Sequence, residues 1–221
     1  YVWARAVLAA RASDTLALLD ALRDYNVMGL GRDLSDTTFN RYRAHPDFRA
    51  IADAHVRNRQ VLSRSRVHLT LPDSTLWPEG MDVDTVTGTT YIASVRHRTI
   101  VAVDRDGRPR ELLTRGTDGI GAVMGVRVDP RARVLWATAV GLPQMEGWVP
   151  GDTLAVLLRI NLESGAIEAR WTLDPSRPHV PGDLAIATDG TVLVTDSRSP
   201  VIHRLRPGAH TLESVTPPLF P

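Results

Sequence analysis

One phrase recurs three times in the second half of this chain. It reads Trp77-Pro-Glu-Gly-Met-Asp-Val-Asp84, then Val123-Met-Gly-Val-Arg-Val-Asp129, then Pro181-Gly-Asp-Leu-Ala-Ile-Ala187. Each copy leads through a short turn into a second strand-like run: Thr90 to Ala93, Val134 to Thr138 and Thr191 to Thr195. Gly80, Gly125 and Asp183 fall in one column, 45 and 58 positions apart. A repeat of this length with several strands per unit predicts a β-propeller. Propellers gather their chemistry at one column of each repeat, near the central axis, so that column is where function should be read.

The repeat predicts a mainly β fold. About three blades of a six-bladed type of propeller are expected near residues 67–114, 120–173 and 178–216, within a strand region spanning 63–221. The first strand signal is Val67-His-Leu-Thr-Leu71, which alternates with period two. Turns are marked by Asp104-Arg-Asp-Gly107, Asn161-Leu-Glu-Ser-Gly165 and Asp189-Gly190. Three blades do not close a ring, and Pro217-Pro-Leu-Phe-Pro221 resembles a linker into a fourth. A chain cut short at its C-terminus is therefore expected.

Residues 1–62 read as a separate α-helical segment. Val2, Ala6, Leu8 and Ala9 precede an apolar cluster at Leu16, Leu18, Leu19 and Leu22. Ser13 is an expected N-cap, with Asp14 at a helix N-terminus. Ser35 or Asp36 would cap a short helix carrying Phe39 and Tyr42. Pro46 suits the first turn of another, with Phe48, Ile51, Ala52 and His55 at helical spacing. The basic run Arg57 to Arg66 reads as a solvated helix end and linker.

Composition narrows function mainly by exclusion. With 26 Lys and Arg against 25 Asp and Glu the net charge is +1, and the charges are interleaved. Neither nucleic acid nor an acidic membrane surface is an expected partner. The absence of Cys rules out disulfides and thiolate metal sites. No apolar run approaches the roughly 18 residues of a membrane span. Arginine as the basic residue, with abundant Gly, Ala, Asp, Pro and Val, points to a GC-rich, bacterial genome; cytoplasm and periplasm are both open. There is no Gly-rich phosphate loop, nucleophile elbow or His-x-x-x-His motif, and hence no nucleotide or flavin signal.

Leu76-Trp-Pro-Glu-Gly-Met-Asp-Val-Asp84 and Asp189-Gly-Thr-Val-Leu-Val-Thr-Asp196 resemble the senescence marker protein/gluconolactonase family of six-bladed propellers, over residues 67–215. The helical segment resembles the tail of a tetratricopeptide array through Phe39-x-x-Tyr-Arg-x-His-Pro-Asp-Phe48. The first resemblance implies a calcium- or zinc-dependent hydrolase of lactones or sugar-acid esters. It also implies an axial metal held by Glu, Asn and Asp from the position just before the glycine column. The Glu falls on Glu79. The blade-two position is Met124, the expected Asn is replaced by Gly182, and the Asp would come from a later blade. The second resemblance implies a protein partner.

Loops expected on the same face add further candidates. Glu79 is either a metal ligand or base, or a carboxylate bonded to a neighbouring blade. Arg96, His97 and Arg98 either bind an anion or form a solvated turn. His179 is an acid/base candidate near neutral pH or a structural histidine. Asp196 either serves a site or ties loop backbone. Asp183 should point away from the axis by strand alternation. In the long insert Gly141 to Asp152, Glu146 belongs to the candidate face. Met145 and Trp148 either form a lid or pack on the blade beneath. Two functional classes follow: a metal-dependent hydrolase with a small-molecule substrate, or a non-catalytic binding or scaffold propeller with a protein partner through its helices.

Overall fold

The computed structural model describes residues 1–117 and 119–215. The chain divides into two compact units, Tyr1–His68 and Leu69–Pro221. The proposed linker, Pro217 to Pro221, lies outside the described residues.

In the first unit, α1 (Val2–Ala12), α2 (Thr15–Val27) and α3 (Pro46–Asn58) surround a core of Ala6, Ala10, Leu18, Leu22, Phe39, Phe48 and Ile51. A short 3-10 helix, Thr37–Tyr42, carries Phe39 and Tyr42 into it. Asp14 caps α2 by accepting the Ala17 N–H at 3.0 Å. Ser13 is not an N-cap: at φ 62° it is the left-handed residue that closes α1. Leu8 and Leu16 are exposed, because they lie off the helix faces set by Ala6/Ala10 and Leu18/Leu22. His55 is fully buried, stacks on Tyr25 and meets Leu22 O and the Arg32 N–H. Burial pushes its pKa down.

The second unit holds three four-stranded antiparallel sheets, each in simple meander order, which is the blade architecture the repeat predicts. Blade one is β1 (Pro78–Val83), β2 (Thr90–Ser94), β3 (Thr99–Val103) and β4 (Pro109–Leu113). Blade two is β5 (Ala122–Asp129), β6 (Val134–Val140), β7 (Ala155–Asn161) and β8 (Ile167–Thr172). Blade three is β9 (Pro181–Ile186), β10 (Val192–Asp196), β11 (Ile202–Leu205) and β12 (Glu213–Val215).

Blade two is sandwiched. Leu135, Ala137, Val156, Leu158 and Ile160 pack towards blade one, while Val134, Trp136 and Leu157 pack towards blade three. This two-sided cover makes β6 buried at every position, whereas β9 keeps exposed positions. Val67 to Leu71 forms no strand. Its alternation reflects Leu69 and Leu71 packing beside Leu76 on blade one, with no ladder partner for the backbone.

The glycine column is where the innermost strands touch. A Cβ on Gly80 would lie 2.3 Å from Met124 O and 3.0 Å from Gly125 Cα. One on Gly125 would lie 2.9 Å from Asp183 Cα. Glycine is thus required for β1 to abut β5 and for β5 to abut β9. Thr138 Oγ1 accepts the Gly125 N–H at 2.9 Å, and Thr195 Oγ1 accepts the Asp183 N–H at 3.1 Å, so the repeat extends to side-chain bonds. Asp82 links the first two blades by accepting the Val128 N–H at 2.8 Å. Among the described residues no helix is long and apolar enough to cross a membrane.

Candidate functional site

Each innermost strand carries a β-bulge at the column. The register slips between Pro78 and Met81 in β1, between Val123 and Val126 in β5, and opposite Val194 and Asp196 in β9. Bulges re-aim side chains. The extra residue cancels the expected alternation, so Asp183 lines the same cavity as Glu79 instead of pointing away from it. This cavity, about 430 Å³, is also lined by Met124, Arg127, Thr195 and Ser197.

Charges in the cavity are unevenly matched. Asp183 Oδ2 accepts from Arg127 at 3.0 Å. Glu79 is exposed and, among the described residues, makes no hydrogen bond or ion pair. The expected metal set does not fit here. Calcium takes six to eight oxygens, several of them usually carboxylate. The three equivalent positions offer one carboxylate, the thioether of Met124 and no side chain at Gly182, and the second carboxylate in the cavity, Asp183, is already paired with Arg127. Among the described residues, Glu79 belongs to no group of three metal-capable side chains.

Arg96, His97 and Glu146 come together, but as a clamp between blades. His97 is only 5% exposed, not a solvated turn. Its Nε2 lies 3.0 Å from Thr75 Oγ1 and 3.3 Å from Asp73 Oδ2, and its Nδ1 lies 3.1 Å from Glu146 Oε1. Glu146 also meets Arg96 Nε at 3.3 Å, and its own N–H donates to Arg96 O at 2.9 Å. Contact with His97, aided by Arg96, holds the Glu146 carboxyl below its ordinary range. The insert is therefore pinned to the neighbouring blade. Met145 and Trp148 pack with Val95, Ala122 and Met124, the packed alternative to a lid.

His179 and Asp196 meet within blade three. His179 Nδ1 lies 2.6 Å from Asp196 Oδ2, and both side chains are buried. Asp196 Oδ1 accepts the N–H groups of Val180 and Arg198 at 3.0 and 2.9 Å, and Oδ2 accepts the Ser199 hydroxyl at 3.0 Å. Burial alone would raise its pKa. The hydrogen bonds from His179, Val180, Arg198 and Ser199 outweigh that and hold the carboxyl far below the usual range. His203 joins from β11, its Nε2 3.5 Å from Asp196 Oδ2. His203 was not singled out from the sequence. The available signal was its inward place in β11, where His203 and Leu205 are the buried members of an alternating run opposite β10.

No protein-family model and no curated protein matches the chain. Among solved structures it is similar to a catalytically inactive virginiamycin B lyase from Staphylococcus aureus with quinupristin. That match has a TM-score of 0.51 at 17% identity, over 67% of this chain and 44% of that one. Hydrazine synthase from Kuenenia stuttgartiensis matches with a TM-score of 0.47 at 14% identity, over 70% of this chain and 38% of that one. The chain thus spans less than half the length of either. At such identities the first likeness shows the fold, a β-propeller, and leaves the activity open.

Proposed function

We propose that the strand unit is a non-catalytic binding module whose axial cavity receives a cationic group, an amine or guanidinium, from a small molecule or a protein partner. The observation that carries this reading is Glu79. It is a carboxylate lining the cavity without a partner among the described residues, beside an Asp183 already matched by Arg127. A buried or half-buried cation gains most from a carboxylate that no internal donor occupies. The tetratricopeptide-like character of the helices favours a protein partner. A metal-dependent lactone hydrolase is the second reading, favoured by the place of Glu79 just before the glycine column. The donor set at Met124 and Gly182 argues against it.

A thermal-shift panel tests the reading with arginine methyl ester, spermidine, lysine and gluconolactone. At least one cation is expected to raise the unfolding temperature by mass action, and Glu79→Gln is expected to cancel that rise. The reading fails if no cation stabilises the protein, or if Glu79→Gln leaves the stabilisation unchanged.

A further inference from the structure

Blade three holds a second group of chemistry-bearing side chains, none of which lines the cavity with Glu79. His179 stands in the segment before β9, Asp196 ends β10 and His203 lies within β11. Their side chains are 2%, 0% and 5% exposed. The two imidazole rings meet edge-on, with centroids 5.4 Å apart and planes tilted by 78°. One ligand-capable atom from each of the three residues lies within 4.8 Å of the others, the only such group of three among the described residues. Beside it opens a groove of about 340 Å³, lined by His179, His203, His210, Asp174, Arg177 and Ser214.

We propose that His179, Asp196 and His203 bind a zinc ion inside blade three, with a water from the groove as the fourth ligand. Two imidazole nitrogens and one carboxylate oxygen suit zinc and other first-row metals, and are poor ligands for calcium or magnesium. Tetrahedral bonds of about 2.0–2.2 Å place ligand atoms about 3.4 Å apart. His203 Nε2 and Asp196 Oδ2 already stand at 3.5 Å. The 2.6 Å contact between His179 and Asp196 is a hydrogen bond that must open as the ion takes the place of the shared proton. That proton has somewhere to go. His179 Nε2 is buried and has no hydrogen-bond partner, so it is the free ring position for that proton, and the ion must offset the cost of a buried N–H with no acceptor among the described residues.

Arg177, which lines the same groove, faces Asp174, its guanidinium 3.8 Å from Asp174 Oδ2.

The test is a titration of zinc chloride into chelator-stripped protein. It is followed by calorimetry and by the ring NMR signals of the seven histidines. One equivalent is expected to bind at micromolar affinity or tighter, shifting the His179 and His203 signals while leaving His45 and His55 in place. His203→Gln should weaken binding by more than the roughly 10- to 100-fold typical of outer-shell changes. Glu79→Gln should leave it unchanged, which separates this site from the cavity. If His203→Gln does not fold, judged by circular dichroism, the histidine signals of the unsubstituted protein decide. No stoichiometric binding, signal shifts confined to other histidines, or unchanged affinity in a folded His203→Gln would each overturn the proposal.

Discussion

Gly80→Ala is expected to destabilise the strand unit by about 3 kcal/mol, the upper part of the range for overpacking a closed contact. The new methyl would sit 2.3 Å from Met124 O and 3.0 Å from both Gly125 Cα and Val126 N. All three are backbone atoms of β5, so no side chain can swing aside and the blades themselves must part. The roughly 0.4–1 kcal/mol that stiffening the unfolded chain can contribute does not offset this. Gly107→Ala is the control. Gly107 sits at φ 80° with open space where its Cβ would be, so its cost is left-handed strain alone, about 1 kcal/mol. Urea unfolding of both variants, followed by tryptophan fluorescence, gives the comparison. Equal midpoints would mean that β1 and β5 do not abut at the column.

Asp196→Ala is expected to cost a similar amount, about 3 kcal/mol, by a different route. The carboxylate accepts from two backbone N–H groups, the Ser199 hydroxyl and His179, and touches His203. Its removal leaves buried donors unsatisfied. The pH dependence follows from the directions of the shifts. The folded carboxyl of Asp196 titrates below its unfolded value near 3.9. Its contribution is therefore complete above about pH 4 and is lost as pH falls through the folded pKa. His203, depressed by burial, binds its proton more readily in the unfolded chain, so its effect also lowers stability on acidification, starting near pH 6.5. Removing Asp196 takes away the contact that holds the His203 pKa up, so the gap between parent and Asp196→Ala should be widest near pH 4 and should shrink below it as the Asp196 carboxyl itself protonates. Urea midpoints at stepped pH check this, and a gap that keeps growing below about pH 4 would contradict it.

The propeller was legible because its signal is redundant. The phrase around Gly80 recurs at Gly125 and Asp183, and each copy is followed by strands whose apolar positions pack against a neighbouring blade. Failures came where side-chain direction departed from simple periodicity. Leu69 and Leu71 alternate because they pack, not because they pair, and Val67 at the head of the run is exposed. Asp183 turns into the cavity because a bulge resets the strand, and a bulge has no residue signature beyond the glycine column itself. His97 lies between two arginines and so read as solvated. What buries it is Glu146 and Asp73, far away in sequence but adjacent in space. The pairing of His179 with Asp196 is equally non-local, and His203 was hidden among apolar neighbours in its strand. In the cavity, residue identity was informative on its own: Met124 and Gly182 cannot supply oxygen side chains wherever the backbone places them.

A calorimetric titration of calcium into the protein and into Glu79→Gln tests most directly whether the cavity is a binding surface or a metal-dependent catalytic centre. The donor set predicts no calcium binding tighter than millimolar in the unsubstituted protein, and the same result in Glu79→Gln. Micromolar calcium binding that Glu79→Gln abolishes would contradict the account and restore the hydrolase.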